Sequence, residues 1–193
     1  MGNEASDAPE RDTLARAKRV RLMLFDVDGV LTDGRVIINS DGSESKTFAI
    51  RDGIALVWAQ RVGIKVGFLS ARLSPTTPVR AAQLGVTLVY HGVSSKLATY
   101  ERILEDHGLQ DADIAYMGDD VVDLAVLARV GLATAPGDSV AEVASRAHWV
   151  MSANGGAGAA RELVERILRV QGHWEGVIDS YLREPSDVGS PGR

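Results

Sequence analysis

Short apolar runs alternate with longer amphipathic stretches along most of this chain, and glycine recurs at the joins. Leu22 to Phe25 is four consecutive apolar residues, the pattern of a strand buried on both faces of a parallel sheet. Before it, Thr13 to Arg19 predicts one or two helical turns, and residues 1–12 read as a disordered tail. After it, Val36 to Ile38 and Lys46 to Ile50, joined by Asn39-Ser-Asp41-Gly42, predict a β-hairpin within 34–50. From Asp52 onward helix and strand alternate. Helices are expected at 54–62, 76–84, 95–107, 122–130, 139–146 and 159–170. Strands are expected at 65–69, 86–90, 114–117, 132–135 and 149–151. Gly63, Gly85, Gly108 and Gly131 close helices. This is the pattern of an α/β fold with a doubly wound parallel sheet. It predicts a single domain over 13–174, followed by a C-terminal tail over 175–193 whose end, 184–193, is polar and rich in Pro and Gly.

Composition narrows the function classes. At 193 residues the chain has enough core for one domain. A net charge of −5 argues against a nucleic-acid partner. No apolar segment approaches the roughly 20 residues that span a bilayer, so no membrane partner is expected. Residues 1–12 lack the apolar core of a signal peptide, and the expected location is cytoplasmic. The absence of cysteine excludes disulfides, thiolate metal sites and a cysteine nucleophile.

The candidate chemistry gathers at strand ends. Asp26 and Asp28 follow the first strand, and an i, i+2 pair on a strand shares a face. Two carboxylates at the edge of an apolar core need a counter-charge, and all-oxygen ligation favours Mg²⁺. Ligands bind beyond the carboxyl ends of strands in open α/β sheets. Ser70 ends a second strand, where its hydroxyl can hold a phosphoryl oxygen or cap a turn. Lys96 opens a helix, where it can neutralise phosphate or lie in solvent. Gly118-Asp119-Asp120-Val-Val-Asp123 ends a third strand. Its carboxylates can complete a Mg²⁺ site with Asp26, or Asp120 and Asp123 can charge the first turn of a helix. The Gly155 to Ala159 loop is either an anion cradle at a helix N-terminus or a flexible flap. The four histidines lack metal-ligand spacing and read as structural or solvated, and Trp58 and Trp149 read as core.

Taken in order, the D-x-D-G-x-L-T motif at Asp26, Ser70, Lys96 and the G-D-D-x-x-D motif at Gly118 resemble the four motifs of the haloacid dehalogenase superfamily of phosphatases. The resemblance implies a Rossmann-like fold, with Asp26 as nucleophile through an aspartyl-phosphate. It implies Asp28 as acid and then base, with its backbone carbonyl on Mg²⁺. Asp119 would be a metal ligand, Ser70 and Lys96 would hold the phosphoryl group, and Asp123 would brace Lys96 or the metal shell. The gaps of 43 residues (27–69) and 25 residues (71–95) between motifs leave no room for a cap domain. An uncapped site, with a hairpin too small to stand alone, predicts a homo-oligomer whose hairpins pack together and cover neighbouring sites.

The stretch from Arg21 to Trp174 is similar to the capless family of 3-deoxy-D-manno-octulosonate 8-phosphate phosphatases. The matching segments are Phe48-x-x-x-Asp52-Gly53, Ser70-Ala71-Arg72 with Arg80-Ala-Ala-Gln-Leu-Gly-Val, and Gly155-Gly156-Ala157-Gly158-Ala159-Ala-Arg161-Glu162. That similarity implies a phosphorylated sugar acid as substrate, with Arg72 and Arg80 binding it, and a homotetramer. It also implies that the tail from Gly172-His-Trp174 onward can reach a neighbour's site. Ala71 stands where the family carries glycine, narrowing backbone freedom beside the phosphate. Nine-carbon sugar-acid phosphates, or a larger or different phosphorylated substrate, are the alternatives. A non-catalytic binding module on the same fold is a further alternative, against which the intact Asp26, Asp28, Lys96 and Asp119 stand.

Overall fold

A computed structural model describes residues 4–183. Six parallel strands form one sheet in the order β5-β4-β1-β6-β7-β8, with β1 (Leu22–Phe25), β4 (Lys65–Ser70), β5 (Leu88–His91), β6 (Ile114–Met117), β7 (Leu132–Ala135) and β8 (Trp149–Val150). The central strand β1 is buried throughout. Its alternate side chains feed two cores, because successive strand residues point to opposite faces. Met23 and Phe25 pack with residues of α2 (Ile50–Arg61) and α7 (Ala159–Val170). Leu22 and Leu24 pack with Tyr100 and Ile103 of α4 (Lys96–His107) and Val126 and Leu127 of α5 (Leu124–Leu127). Two-sided burial is why this strand carries four apolar residues without alternation.

The doubly wound α/β reading therefore holds, and no cap domain interrupts it among the described residues. Several boundaries differ from expectation. Helix α1 runs from Glu4 to Arg19, so residues 4–12 are helical rather than a disordered tail, and residues 1–3 lie outside the described residues. The hairpin is shorter than its pattern suggested: β2 is Ile37–Ile38 and β3 is Glu44–Ser45, paired antiparallel. Ile50, placed at the end of a strand by its apolar character, instead starts α2 and is largely exposed. The helix expected over 122–130 is a 3-10 turn at Val121–Asp123 followed by the single turn of α5. Two short helices, α3 (Thr76–Gln83) and α6 (Ala141–Ala144), complete the pattern. The expected tail begins as α8 (Trp174–Arg183), and residues 184–193 lie outside the described residues. Trp58 is core and stacks edge-on against Trp174 with centroids 5.6 Å apart. Trp149 is only half-buried, under the Arg166 guanidinium.

Candidate active site

The site lies at the carboxyl ends of β1, β4 and β6. Asp26 directly follows β1, and its N–H extends the ladder to Met117 O of β6 at 3.0 Å. The chain then turns tightly around the Val27 carbonyl, which accepts the N–H groups of Leu31 (3.0 Å) and Thr32 (3.1 Å). Gly29 takes φ +92° in this turn, and a Cβ there would lie 2.0 Å from Asp119 Oδ2. Glycine is required here both for the backbone angle and for the approach of Asp119. The Gly155–Gly156 segment closes over the turn: Gly156 N donates to Val30 O at 2.9 Å, and a Cβ on Gly155 would lie 1.8 Å from Gly29 O.

The Gly155–Gly156 segment therefore braces the Asp26–Thr32 turn, and the anions this loop holds are the protein's own: Gly155 N donates to Asp138 Oδ1 at 2.9 Å. The N-terminus of α7 already has its own anion. Asp52 of α2 accepts from Gly158 N (3.2 Å) and Arg161 N (2.8 Å), filling the positive end of the helix.

Lys96 is the hub of the buried charges. Its Nζ is 2.9 Å from Asp26 Oδ1 and 2.6 Å from Asp123 Oδ1, and it also donates to Tyr116 Oη at 3.3 Å. Burial pulls the Lys96 pKa down, but Asp26 and Asp123 more than offset this, so it lies above that of a free lysine. Asp123 is fully buried, and both its oxygens are engaged. Oδ1 takes Lys96 and the Tyr116 hydroxyl, while Oδ2 accepts from Asp119 N (3.0 Å) and Asp120 N (3.3 Å). It thus shapes the β6 end and anchors Lys96. Asp120 caps the 3-10 turn, accepting from Val121 N at 2.6 Å, and its side chain stands apart from the buried cluster.

Asp26, Asp119 and Asp123 each offer a carboxylate oxygen within 4.8 Å of the others. Burial, together with the nearby charge of Asp123, raises the Asp26 pKa to about 6 even against the opposing pull of Lys96. Burial followed by repulsion from Asp26 and Asp123 raises Asp119 to about 7. Oδ1 of Asp119 is buried with no hydrogen-bond partner. Oδ1 of Asp26 lies near Lys96 without a well-aligned bond. One lysine does not neutralise this cluster, and the orphaned oxygens suit a hard divalent cation such as Mg²⁺. With Asp123 engaged elsewhere, Asp26 and Asp119 are the carboxylates free to hold it.

The Asp28 carboxylate turns away from this cluster, toward the hairpin. Lys46 Nζ is 2.7 Å from Asp28 Oδ1 and 2.9 Å from Oδ2. Ser70 is buried at the end of β4, and its Oγ accepts Arg72 N at 3.2 Å. Ala71 and Arg72 are exposed, and the Arg72 guanidinium pairs with Glu44 of β3. Arg80 points elsewhere: it lies over the Phe48 ring at 5.7 Å and reaches Ala49 O at 3.4 Å, against the start of α2. The sequence reading missed Lys46, Glu44 and Tyr116. Tyr116 sits mid-strand among apolar residues, where nothing in the pattern marks it. Glu44 and Lys46 carried a signal, since polar residues spaced two apart in an extended segment share a face.

Fold and site define a class: doubly wound α/β proteins with an aspartate directly after the first strand and a lysine and further carboxylates gathered at the neighbouring strand ends. Residues 64–163 match the model of haloacid dehalogenase-like hydrolases. The chain is 37% identical over 161 residues to 3-deoxy-D-manno-octulosonate 8-phosphate phosphatase KdsC of Escherichia coli K12, covering 83% of this chain and 86% of that one. The solved structure of the phosphatase of that name from Yersinia pestis superimposes with a TM-score of 0.84 at 38% identity, covering 86% of this chain and 89% of the other. That of Moraxella catarrhalis, solved with magnesium, phosphate and KDO, gives 0.87 at 30% identity, covering 89% and 98%. The chain belongs to the haloacid dehalogenase-like hydrolases and, within them, to the 3-deoxy-D-manno-octulosonate 8-phosphate phosphatase family.

Proposed function

We propose that this protein is a Mg²⁺-dependent cytoplasmic phosphatase that hydrolyses 3-deoxy-D-manno-octulosonate 8-phosphate. The observation that carries the reading is the buried Asp26–Lys96–Asp123 cluster with Asp119 beside it. Mg²⁺ held by Asp26, Asp119 and the Asp28 carbonyl would supply charge neutralisation for an anionic nucleophile meeting an anionic phosphate. Asp26 attacks phosphorus, and Lys96 and Ser70 hold the phosphoryl oxygens. Asp28 protonates the departing sugar oxygen and then takes a proton from the water that cleaves the aspartyl-phosphate. Asp123 keeps Lys96 aimed at Asp26. Arg72, with an exposed guanidinium beside Ser70, suits the substrate carboxylate. Arg80 supports that site through Phe48, over whose ring it lies, rather than from within the Asp26–Lys96 cluster.

The test is phosphate release from a panel of sugar and sugar-acid phosphates, with Mg²⁺ and with EDTA, beside Asp26→Asn. Release concentrated on the eight-carbon acid, dependent on Mg²⁺ and lost by about 1,000-fold or more in the variant, is expected. Preference for the nine-carbon acid would overturn the substrate, and no turnover by folded wild-type protein would overturn the chemistry.

Self-association into a homotetramer belongs to the same proposal. Ile37 and Ile38 of the hairpin are 58% and 66% exposed, an apolar surface that a second copy would cover. Ile38→Glu is expected to lower the sedimentation coefficient; an unchanged value removes the hairpin from the interface.

A further inference from the structure

Residues 44–48 run extended from β3 toward α2, and their side chains alternate. Glu44, Lys46 and Phe48 turn inward, while Ser45 and Thr47 are exposed. Each inward side chain meets a residue of the candidate site on the same chain. The Glu44 carboxylate takes the Arg72 guanidinium and the Ser74 hydroxyl. Lys46 takes Asp28, and Phe48 lies beneath Arg80.

Lys46 stands out within this strip. Its side chain is 0% exposed, on a hairpin whose tip is otherwise open to solvent. Burying an ammonium is costly unless a counter-charge holds it. Both Asp28 oxygens do so at 2.7 and 2.9 Å, with Glu44 Oε1 at 4.0 Å. Among the described residues no other side chain hydrogen-bonds Asp28. The turn that carries Asp28 is fixed by backbone bonds to Val27 O, which leave its side-chain torsions free.

We propose that Lys46 is a positioning residue for Asp28, holding the acid–base carboxylate in line with the leaving oxygen, and that Glu44 ties this contact to Arg72. The proposal rests on the phosphatase reading above. In the step concerned, an Asp26 oxygen bonds to phosphorus as the bond from phosphorus to the leaving oxygen breaks. The bonding pair stays on that oxygen, which takes the Asp28 proton. A sugar alkoxide needs that proton as it leaves, whereas 4-nitrophenolate leaves without it.

A misplaced acid thus penalises one substrate and not the other. The measurement is kcat/KM of Lys46→Met on 3-deoxy-D-manno-octulosonate 8-phosphate and on 4-nitrophenyl phosphate. The expected loss is about 100-fold on the first and under about fivefold on the second, with Lys46→Arg recovering most of the first. Lys46→Gln gives the same comparison if the methionine variant does not fold. Equal losses on both substrates, or no recovery with arginine, would overturn the positioning role while leaving the phosphatase reading in place. A wild-type enzyme inactive on both substrates would overturn that reading itself.

Discussion

Asp52 and Arg161 are 109 residues apart in sequence, yet the Asp52 carboxylate accepts the Arg161 N–H at 2.8 Å and so caps α7 from α2. This bond fixes the start of α7, and with it the Gly155–Gly156 segment that leans on the Asp26–Thr32 turn. Asp52→Ala leaves the helix end without its anion inside a packed interface. A loss of about 1–2 kcal/mol is expected, read as a lowered urea midpoint at constant m. An unchanged midpoint would mean that the cap contributes nothing.

The pH dependence of the metal-free protein follows from Asp26 and Asp119. Their pKa values rise from 3.8 to about 6 and about 7 on folding, so the folded state holds these protons more tightly. Their contribution is complete below the unfolded value and is lost as pH rises through the folded values. In EDTA, stability is expected to fall between about pH 4 and pH 7, by about 3 kcal/mol from Asp26. Asp26→Asn flattens that decline. Mg²⁺ requires ionised carboxylates, so its stabilising increment grows over the same window. Urea melts at several pH values, with EDTA and with Mg²⁺, check both; metal-free curves parallel for wild type and variant would refute the assignment.

Gly29→Ala tests the geometry of the metal site. The added methyl would collide with Asp119 Oδ2, and φ +92° strains any residue with a Cβ. The expected result is Mg²⁺ affinity weaker by about 10- to 100-fold in titration calorimetry, because a displaced ligand loses its aim. Affinity equal to wild type would place the ion elsewhere.

Arg72 and Arg80 should separate in their effects. Arg72 is exposed and pairs only across the surface, so Arg72→Ala is expected to raise KM for the sugar acid by about 10- to 100-fold with little change in melting temperature. Arg80 packs on Phe48, and a Cβ on Gly53 would lie 2.4 Å from its Nη2. Arg80→Ala should therefore lower the melting temperature as well as turnover. A variant of Arg80 with wild-type stability would contradict that packing role.

The sequence by itself determined the sheet, because a strand buried on both faces must be apolar throughout and its helices must end where glycine permits. It also marked Asp26 and Asp119, since strand ends in such a sheet are where polar side chains meet, whereas Lys96 at a helix start stood out only through the motif resemblance. Only the tertiary structure decided how the charges divide. Asp123 and Asp120 sit three residues apart in one motif, yet one is buried against Lys96 and the other caps an exposed turn. Asp28 and Lys46 lie on separate segments, and no local spacing records their contact. Local periodicity encodes which face of an element is buried. It carries no information on which distant side chain completes a buried charge, since that depends on where the hairpin folds back in space.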